Sequence, residues 1–352
     1  MAERSLILIT GAGRSGTSTM SGTLHHLGLC VPGPFLGAND SNPKGFFESR
    51  WSVRFHKELL REAGVDEFDS RPGAFDLVAR AVTPERRQQV VDFLSERGGD
   101  AAQVVVKDPR TVWTQQVWRA AAAEVGRDIR YVSMLRHPAE VVGSRTTYYA
   151  SEEIDQRRRY EVFNVARWIN STLICERETR GQRRVFVRYV DLLDDWRAEM
   201  TRVGTVLDLQ YDPPITDAHH DVDDFIDAGL RRHTVTWDEL ATPRDLKRIA
   251  QEVWDCHQRL VESEDPAASA RLDELADEFD QVLFDAVAIS HDAILQARRE
   301  TRLKVEEELR GDQPAAPAPQ PATLGERPVN DVAARDLARI AARRVLGRLH
   351  RP

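Results

Sequence analysis

An α/β fold in three layers, with a central, mostly parallel sheet flanked by helices and a helical extension at the C-terminus, is what the sequence predicts. Three observations carry the expectation. Short apolar runs recur at Ser5 to Thr10, Ala101 to Val106, Ile129 to Leu135 and Arg184 to Arg188; stretches with helical spacing separate them; and the first run leads straight into a Gly-rich turn and a helix. Continuous apolar runs of this length suit strands buried on both faces, and strands alternating with helices suit parallel pairing.

The first unit spans Ser5 to Leu29. Gly11, Gly13 and Gly16 let the backbone turn tightly with its N–H groups inward, and Thr17 to Leu29 reads as a helix with Met20, Leu24 and Leu27 at helical spacing. Unpaired amides and a helix N-terminus aimed at one point make a phosphate cradle, which marks the predicted fold as P-loop-type. The spacing Gly11-x4-Gly16 followed by Thr17-Ser18 resembles the Walker A loop, with Thr17 where that loop has its Lys. A nucleoside-triphosphate enzyme uses that Lys to hold the β- and γ-phosphates, so its absence argues against such chemistry. Here the cation sits earlier, at Arg14.

A long loop, CVPGPFLGANDSNPKGFFESR, follows and ends in Phe46, Phe47 and Glu48. Loops of this length inside a compact domain are usually functional. Trp51 to Gly64 and Thr83 to Arg97 read as helices, the second opened by Thr83 and Pro84. The next strand ends in Lys107-Asp108-Pro109-Arg110, and the third delivers Arg136-His137-Pro138. Loops at the carboxyl ends of parallel strands line the ligand crevice, so both sets are expected beside the Gly-rich turn. Helices are expected at Thr111 to Val125 and from Pro138 onward, where Ser144 follows Arg136 by about two turns, within reach of one shared anion. A long helix is expected at Tyr160 to Arg180, with Arg157 to Arg159 before it as a solvated face.

These constellations together resemble the sulfotransferases that use 3′-phosphoadenosine-5′-phosphosulfate (PAPS). Arg14-Ser15-Gly16-Thr17-Ser18 looks like their 5′-phosphosulfate loop, and Arg136-x-Pro138 with Ser144 looks like their 3′-phosphate motif; Lys107 has a counterpart near the transferred sulfonate in part of the family. Tyr189-Val190-Asp191-Leu192 is similar to the Tyr-Glu-Asp-Leu segment whose Tyr lies near adenine, with a plain core Tyr as the alternative. The loop before Trp51 resembles that of bacterial and heparan-type enzymes more than that of the small-phenol branch.

The resemblance implies a co-substrate, PAPS, and no metal. It implies Gly13, Arg14, Ser15, Gly16, Thr17, Ser18, Arg136, Ser144 and Tyr189 as its binding residues, with Arg14 and Lys107 on the leaving 5′-phosphate and sulfonate and the amides of Ser15 to Ser18 around the phosphate. Glu48 is the expected general base, by likeness to heparan-type enzymes, with Phe46, Phe47 and Trp51 expected to dehydrate it and raise its pKa. Asp108 is the alternative base. His25, His26 and His56 are expected to pack or face solvent. Arg231 and Arg232, in an acidic loop at Asp212 to His233, are candidates for a late loop that closes over the donor.

Composition sets the outer bounds. Hydrophobic residues at 41% and charged residues at 30% over 352 residues are ordinary for a globular protein, and the net charge of −8 argues against a nucleic-acid binder, whose footprint is basic. Cys30, Cys175 and Cys256 lie far apart without metal-ligand spacing, so a reducing, cytoplasmic setting is expected. No charged-then-apolar leader and no apolar run near the ~20 residues of a membrane span is read.

The expected division is 1–262 for the sulfotransferase-like domain, 263–310 for a helical extension that includes one long helix at Asp273 to Leu309, 311–328 for a Pro/Ala-rich linker and 329–352 for a basic helix. Six arginines from Arg335 to Arg351 against Asp331 and Asp336 leave that tail at net +4. It is expected to lie on an anionic membrane surface or dock on a protein, with a solvated tail as the alternative. The expected activity is sulfonate transfer from PAPS to a hydroxyl of a glycan, glycolipid or natural product. A P-loop small-molecule kinase using ATP and a non-catalytic nucleotide-binding scaffold are the alternatives.

Overall fold

The computed structural model describes residues 4–39, 42–150, 153–226 and 235–311. Four strands, β1 (Ser5–Thr10), β2 (Gln103–Lys107), β3 (Asp128–Leu135) and β4 (Arg183–Arg188), form one parallel sheet in the order β2-β1-β3-β4. Each strand lies within two residues of the expected apolar run. The alternation along β1 explains why that run is continuous. Leu6 and Leu8 join one core cluster, with Phe55, Leu59, Trp113 and Trp118, whereas Ile7 and Ile9 join another, with Met20, Leu24, Met200 and Val203. A strand buried on both faces has no polar side to present, and each fully buried Leu or Ile contributes about 1.5–3 kcal/mol.

Helices cover both faces. On one side lie α2 (Arg50–Ala63), α3 (Ala74–Ala81), α4 (Pro84–Gly98) and α5 (Thr111–Glu124); on the other lie α1 (Thr17–His26), α8 (Tyr189–Asp194) and α9 (Trp196–Leu207). The helix α4 starts where Thr83 accepts a hydrogen bond from the Arg86 amide with Pro84 at the first helical position. A third cluster gathers α6 (Pro138–Tyr149), α7 (Ile154–Thr179), α11 (Arg244–Glu262) and the first half of α12 (Pro266–Ile289) around Trp168, Ile249 and Phe279.

Three expectations are corrected. The helix expected from Tyr160 starts at Ile154, so Arg157 to Arg159 lie within it rather than before it; they are exposed, and Arg157 pairs with Glu161 one turn on, 2.9 Å away. Polar first turns carry no apolar period to read. The two-turn α3, and α10 (Asp221–Phe225) within the acidic loop, are too short to show one. The single helix expected at Asp273 to Leu309 is two, α12 and α13 (His291–Gly311), with Ser290 between them and its carbonyl accepting from the Ile294 amide. Ser followed by Asp292 in the first turn is a helix-start signature. The first compact unit runs to Ala286, and Ala268, Leu272, Leu275 and Phe279 are buried in the third cluster.

The second unit, from Val287, includes α13. Arg231, Arg232, most of the Pro/Ala-rich segment and the basic tail lie outside the described residues. Among the described residues no helix is long and apolar enough to cross a membrane.

Candidate active site

A cavity of about 490 Å³ opens at the carboxyl ends of the strands. The register pairs Ile9 of β1 with Lys107 of β2 and Thr10 with Ser133 of β3, so the Gly-rich turn, the Lys107 loop and the Arg136 loop emerge side by side. The cavity is lined by Gly13, Arg14, Gly16, Thr17, Ser18, Glu48, Lys107, Arg136, Ser144 and Tyr189 from the expected set. Ser15 lies in the same turn.

The turn is built for close approach. Gly16 has φ +88°, and a Cβ there would sit 2.2 Å from the Tyr189 ring; a Cβ on Gly11, at φ +129°, would sit 2.6 Å from the Met134 carbonyl oxygen. Gly16 is also the cap of α1, with no side chain capping the helix, so the first amides of α1 have no intrahelical acceptor. The Ser15 amide does not belong to this free set, because it donates to the Ala12 carbonyl at 3.1 Å and closes the turn. The Ser15 hydroxyl is buried and without a partner among the described residues.

Two cationic clusters flank this turn. On one side the Lys107 ammonium donates to Ser18 Oγ at 2.9 Å, to the Phe46 carbonyl at 3.4 Å and to Glu48 Oε1 at 2.5 Å. Three acceptors match its three protons. Glu48 is buried at 5% exposure, and burial pushes its carboxyl above the usual range, with Asp108 adding to the rise and Lys107 and Arg110 opposing it. On the other side Arg14 Nε donates to Ser144 Oγ at 3.1 Å, and Arg136 donates to Glu140 at 2.9 Å and to the Arg14 carbonyl at 3.2 Å. The Arg136 guanidinium lies over the Tyr189 ring, 5.4 Å from its centre. Arg14, expected with Lys107, thus stands with Ser144 in this structure.

Other expectations resolve differently. Of the three aromatics expected around Glu48, Phe46 lines the cavity, but Phe47 packs on His25, His26, Phe35 and Phe225, and Trp51 stacks on Phe55 and Phe93 in the core. A φ of +50° at Phe47 turns the chain between neighbouring rings. Both oxygens of Asp108 are engaged: Oδ2 with His56 Nδ1 at 2.9 Å, Oδ1 with the Arg110 amide and Nη1. His56 Nε2 accepts from the Trp118 indole at 2.9 Å, which leaves the proton on Nδ1 and makes the ring a neutral packing residue.

Residues to which the sequence reading gave no role also line the cavity: Glu67, Phe68, Arg110, Arg145 and Tyr160. Arg145 stacks its guanidinium on Phe68, 3.9 Å from the ring centre. The signal for Arg110 and Arg145 was position alone, since each sits within three residues of a predicted site residue. Among the described residues no group of three or more His, Cys, Asp or Glu is arranged to hold a metal ion.

A sequence-family model described as the sulfotransferase family matches residues 6–213, a span that runs from β1 through α9 and includes every residue named above as lining the cavity. No significant match is found among curated proteins. Similar solved structures include the sulfotransferase domain from the Synechococcus PCC 7002 olefin synthase, at 16% identity and a TM-score of 0.41 over 73% of this chain and 96% of that one. The sulfotransferase domain from the curacin biosynthetic pathway aligns at 18% identity and 0.41 over 75% and 99%. With more than half of its length matched by the family model, from the Gly-rich turn to beyond the last strand, this chain belongs to the sulfotransferase family.

Proposed function

We propose that this chain transfers a sulfonate group from PAPS to a hydroxyl of a glycan, glycolipid or natural product. The observation that carries the reading is the pair of cationic clusters, Lys107 with Ser18 and Arg14 with Arg136 and Ser144, on either side of one uncapped helix N-terminus in one cavity. A donor with phosphate groups at both ends of its ribose calls for two such anion sites. The buried Ser15 hydroxyl, without a partner among the described residues, and the open amides of α1 fit a phosphate held by the turn.

PAPS supplies an activated sulfonate whose leaving group is a phosphate. Around it the amides at the start of α1 and the Lys107 ammonium hold the 5′-phosphate and the charge that builds on it. Arg136 and Ser144, with Arg14, hold the 3′-phosphate, and Tyr189 lies beside the base. Glu48 takes the proton of the acceptor hydroxyl as its oxygen attacks sulfur. Any anion that draws Lys107 to itself also removes the main cationic partner that keeps Glu48 ionised without a proton to bind. The carboxylate then becomes a stronger base, in the site where one is needed.

Calorimetric titration with 3′,5′-adenosine bisphosphate, with 5′-AMP and ATP·Mg²⁺ as comparisons, tests this reading. Micromolar binding of the bisphosphate, unmatched by 5′-AMP, is expected. Binding of ATP·Mg²⁺ without the bisphosphate would replace sulfonate transfer with phosphoryl transfer.

A further inference from the structure

Arg110 lines the cavity without a part in the donor chemistry, and its surroundings are unequal. Its side chain is 7% exposed, and one edge of its guanidinium is fixed: Nη1 and the Arg110 amide both donate to Asp108 Oδ1, at 2.8 and 2.9 Å. Asp108 is itself held by His56, and His56 by Trp118. This edge cannot move without disturbing the core.

The opposite edge carries Nε and Nη2, whose two N–H groups are spaced for the two oxygens of a carboxylate. Here Nη2 pairs with Glu67, while the buried Nε has no partner among the described residues. Glu67 is 40% exposed at the side chain, and its backbone is pinned separately, the Trp113 indole donating to its carbonyl at 2.9 Å. The Glu67 side chain is therefore free to swing into solvent while the wall it stands on keeps its place. A buried N–H left without an acceptor costs free energy that a two-oxygen ligand would recover.

Resting on the sulfotransfer reading, we infer that Arg110 determines acceptor specificity by receiving a carboxylate of a hydroxy acid in place of Glu67. The ligand class follows from the group displaced, which is itself a carboxylate, and from the idle Nε–H beside it. Leu36, Pro43, Phe46 and Phe68 line the same cavity and offer apolar contact to the body of such a molecule. Arg110 lies near enough to Glu48 to act on its charge, so hydroxyl and carboxylate need be only a short span apart.

The test is titration of the full chain with 4-hydroxybenzoate and 3-hydroxybutyrate, each against its amide, with and without saturating 3′,5′-adenosine bisphosphate. At least one acid is expected to bind about tenfold more tightly than its amide. Glu67→Gln removes the competing carboxylate and is expected to tighten the acid several-fold with its amide unchanged; Arg110→Gln is expected to erase the preference. Neither variant should alter bisphosphate affinity. Equal binding of acids and amides, or a preference that Glu67→Gln leaves unmoved, overturns the inference while bisphosphate binding upholds the sulfotransfer reading. Acid preference without bisphosphate binding keeps the carboxylate site and removes that reading.

Discussion

Lys107 and Asp108 are adjacent in sequence, and each belongs to a buried hydrogen-bonded pair, yet the two pairs have opposite characters. Asp108 with His56 is closed: the carboxylate meets His56 on one oxygen and Arg110 on the other, the imidazole meets Trp118 with its second nitrogen, and neither residue lines the cavity. Lys107 with Glu48 lines the cavity, and the partners of the ammonium include a flexible hydroxyl and a carboxylate that an incoming anion can replace. A His–carboxylate contact looks more like catalytic machinery than a Lys–Glu contact does. The comparison teaches that access to the cavity and replaceable partners, rather than residue type, favour the Lys107–Glu48 pair for the proposed chemistry.

The largest effect expected is on Glu48. Glu48→Gln should lower sulfonate transfer by ~10²–10⁴-fold and leave bisphosphate affinity nearly unchanged, as steady-state rates and titration would read. Because burial raises the Glu48 pKa, the wild-type rate should climb with pH above the ordinary 4.5 as the carboxyl loses its proton, and that acid limb should vanish in the variant. A limb that survives would point to another base. Across the closed pair the loss should appear as stability instead. Asp108→Asn is expected to cost about 3 kcal/mol in denaturant unfolding, by leaving the Arg110 and His56 groups imperfectly matched, with bisphosphate affinity retained. Lost transfer at undiminished stability would erase the distinction between the two pairs.

A third prediction uses a closed residue remote from the cavity. His257 is fully buried against Phe186, donates Nδ1–H to the Val253 carbonyl at 2.7 Å, and burial pulls its pKa to about 4 from the ordinary 6.5. Between those values the unfolded chain binds a proton that the folded chain does not, so stability falls as pH drops from 6.5 toward 4, by roughly 3 kcal/mol. Unfolding of His257→Phe measured at pH 7 and pH 4 should lack this component. The smallest effect is at the second cationic cluster: Arg136→Gln should weaken the bisphosphate by about 30-fold, near 2 kcal/mol, with 5′-AMP little affected. Equal weakening of both nucleotides would place Arg136 on the 5′-phosphate instead.

Much of this was legible before any coordinates. The strands announce themselves because burial on both faces leaves their central residues mostly apolar, and the turn announces itself because Gly11 and Gly16 occupy conformations and spaces that a side chain would not fit. What escaped was short, polar or packed from a distance. The helix α3 shows too few turns for a period, the first turns of α7 are exposed and charged, and Trp51 and Phe47 stand near Glu48 in sequence while their rings face elsewhere. Arg14 shows the same gap, since its place in the motif did not disclose that its guanidinium reaches Ser144, 130 positions on.

By itself the sequence determined the alternation of strands and helices, the Gly-rich turn, and which cations stand at the strand ends, because local periodicity, glycine conformation and spacing are properties of contiguous residues. Only the tertiary structure decided that Lys107 meets Glu48, that Asp108 is occupied by His56 and Arg110, and that Arg110 keeps one edge toward an exposed Glu67. Those pairings join residues from separate elements. They depend on how helices pack on the sheet and which polar atoms that packing leaves satisfied, and no single stretch of chain contains that information.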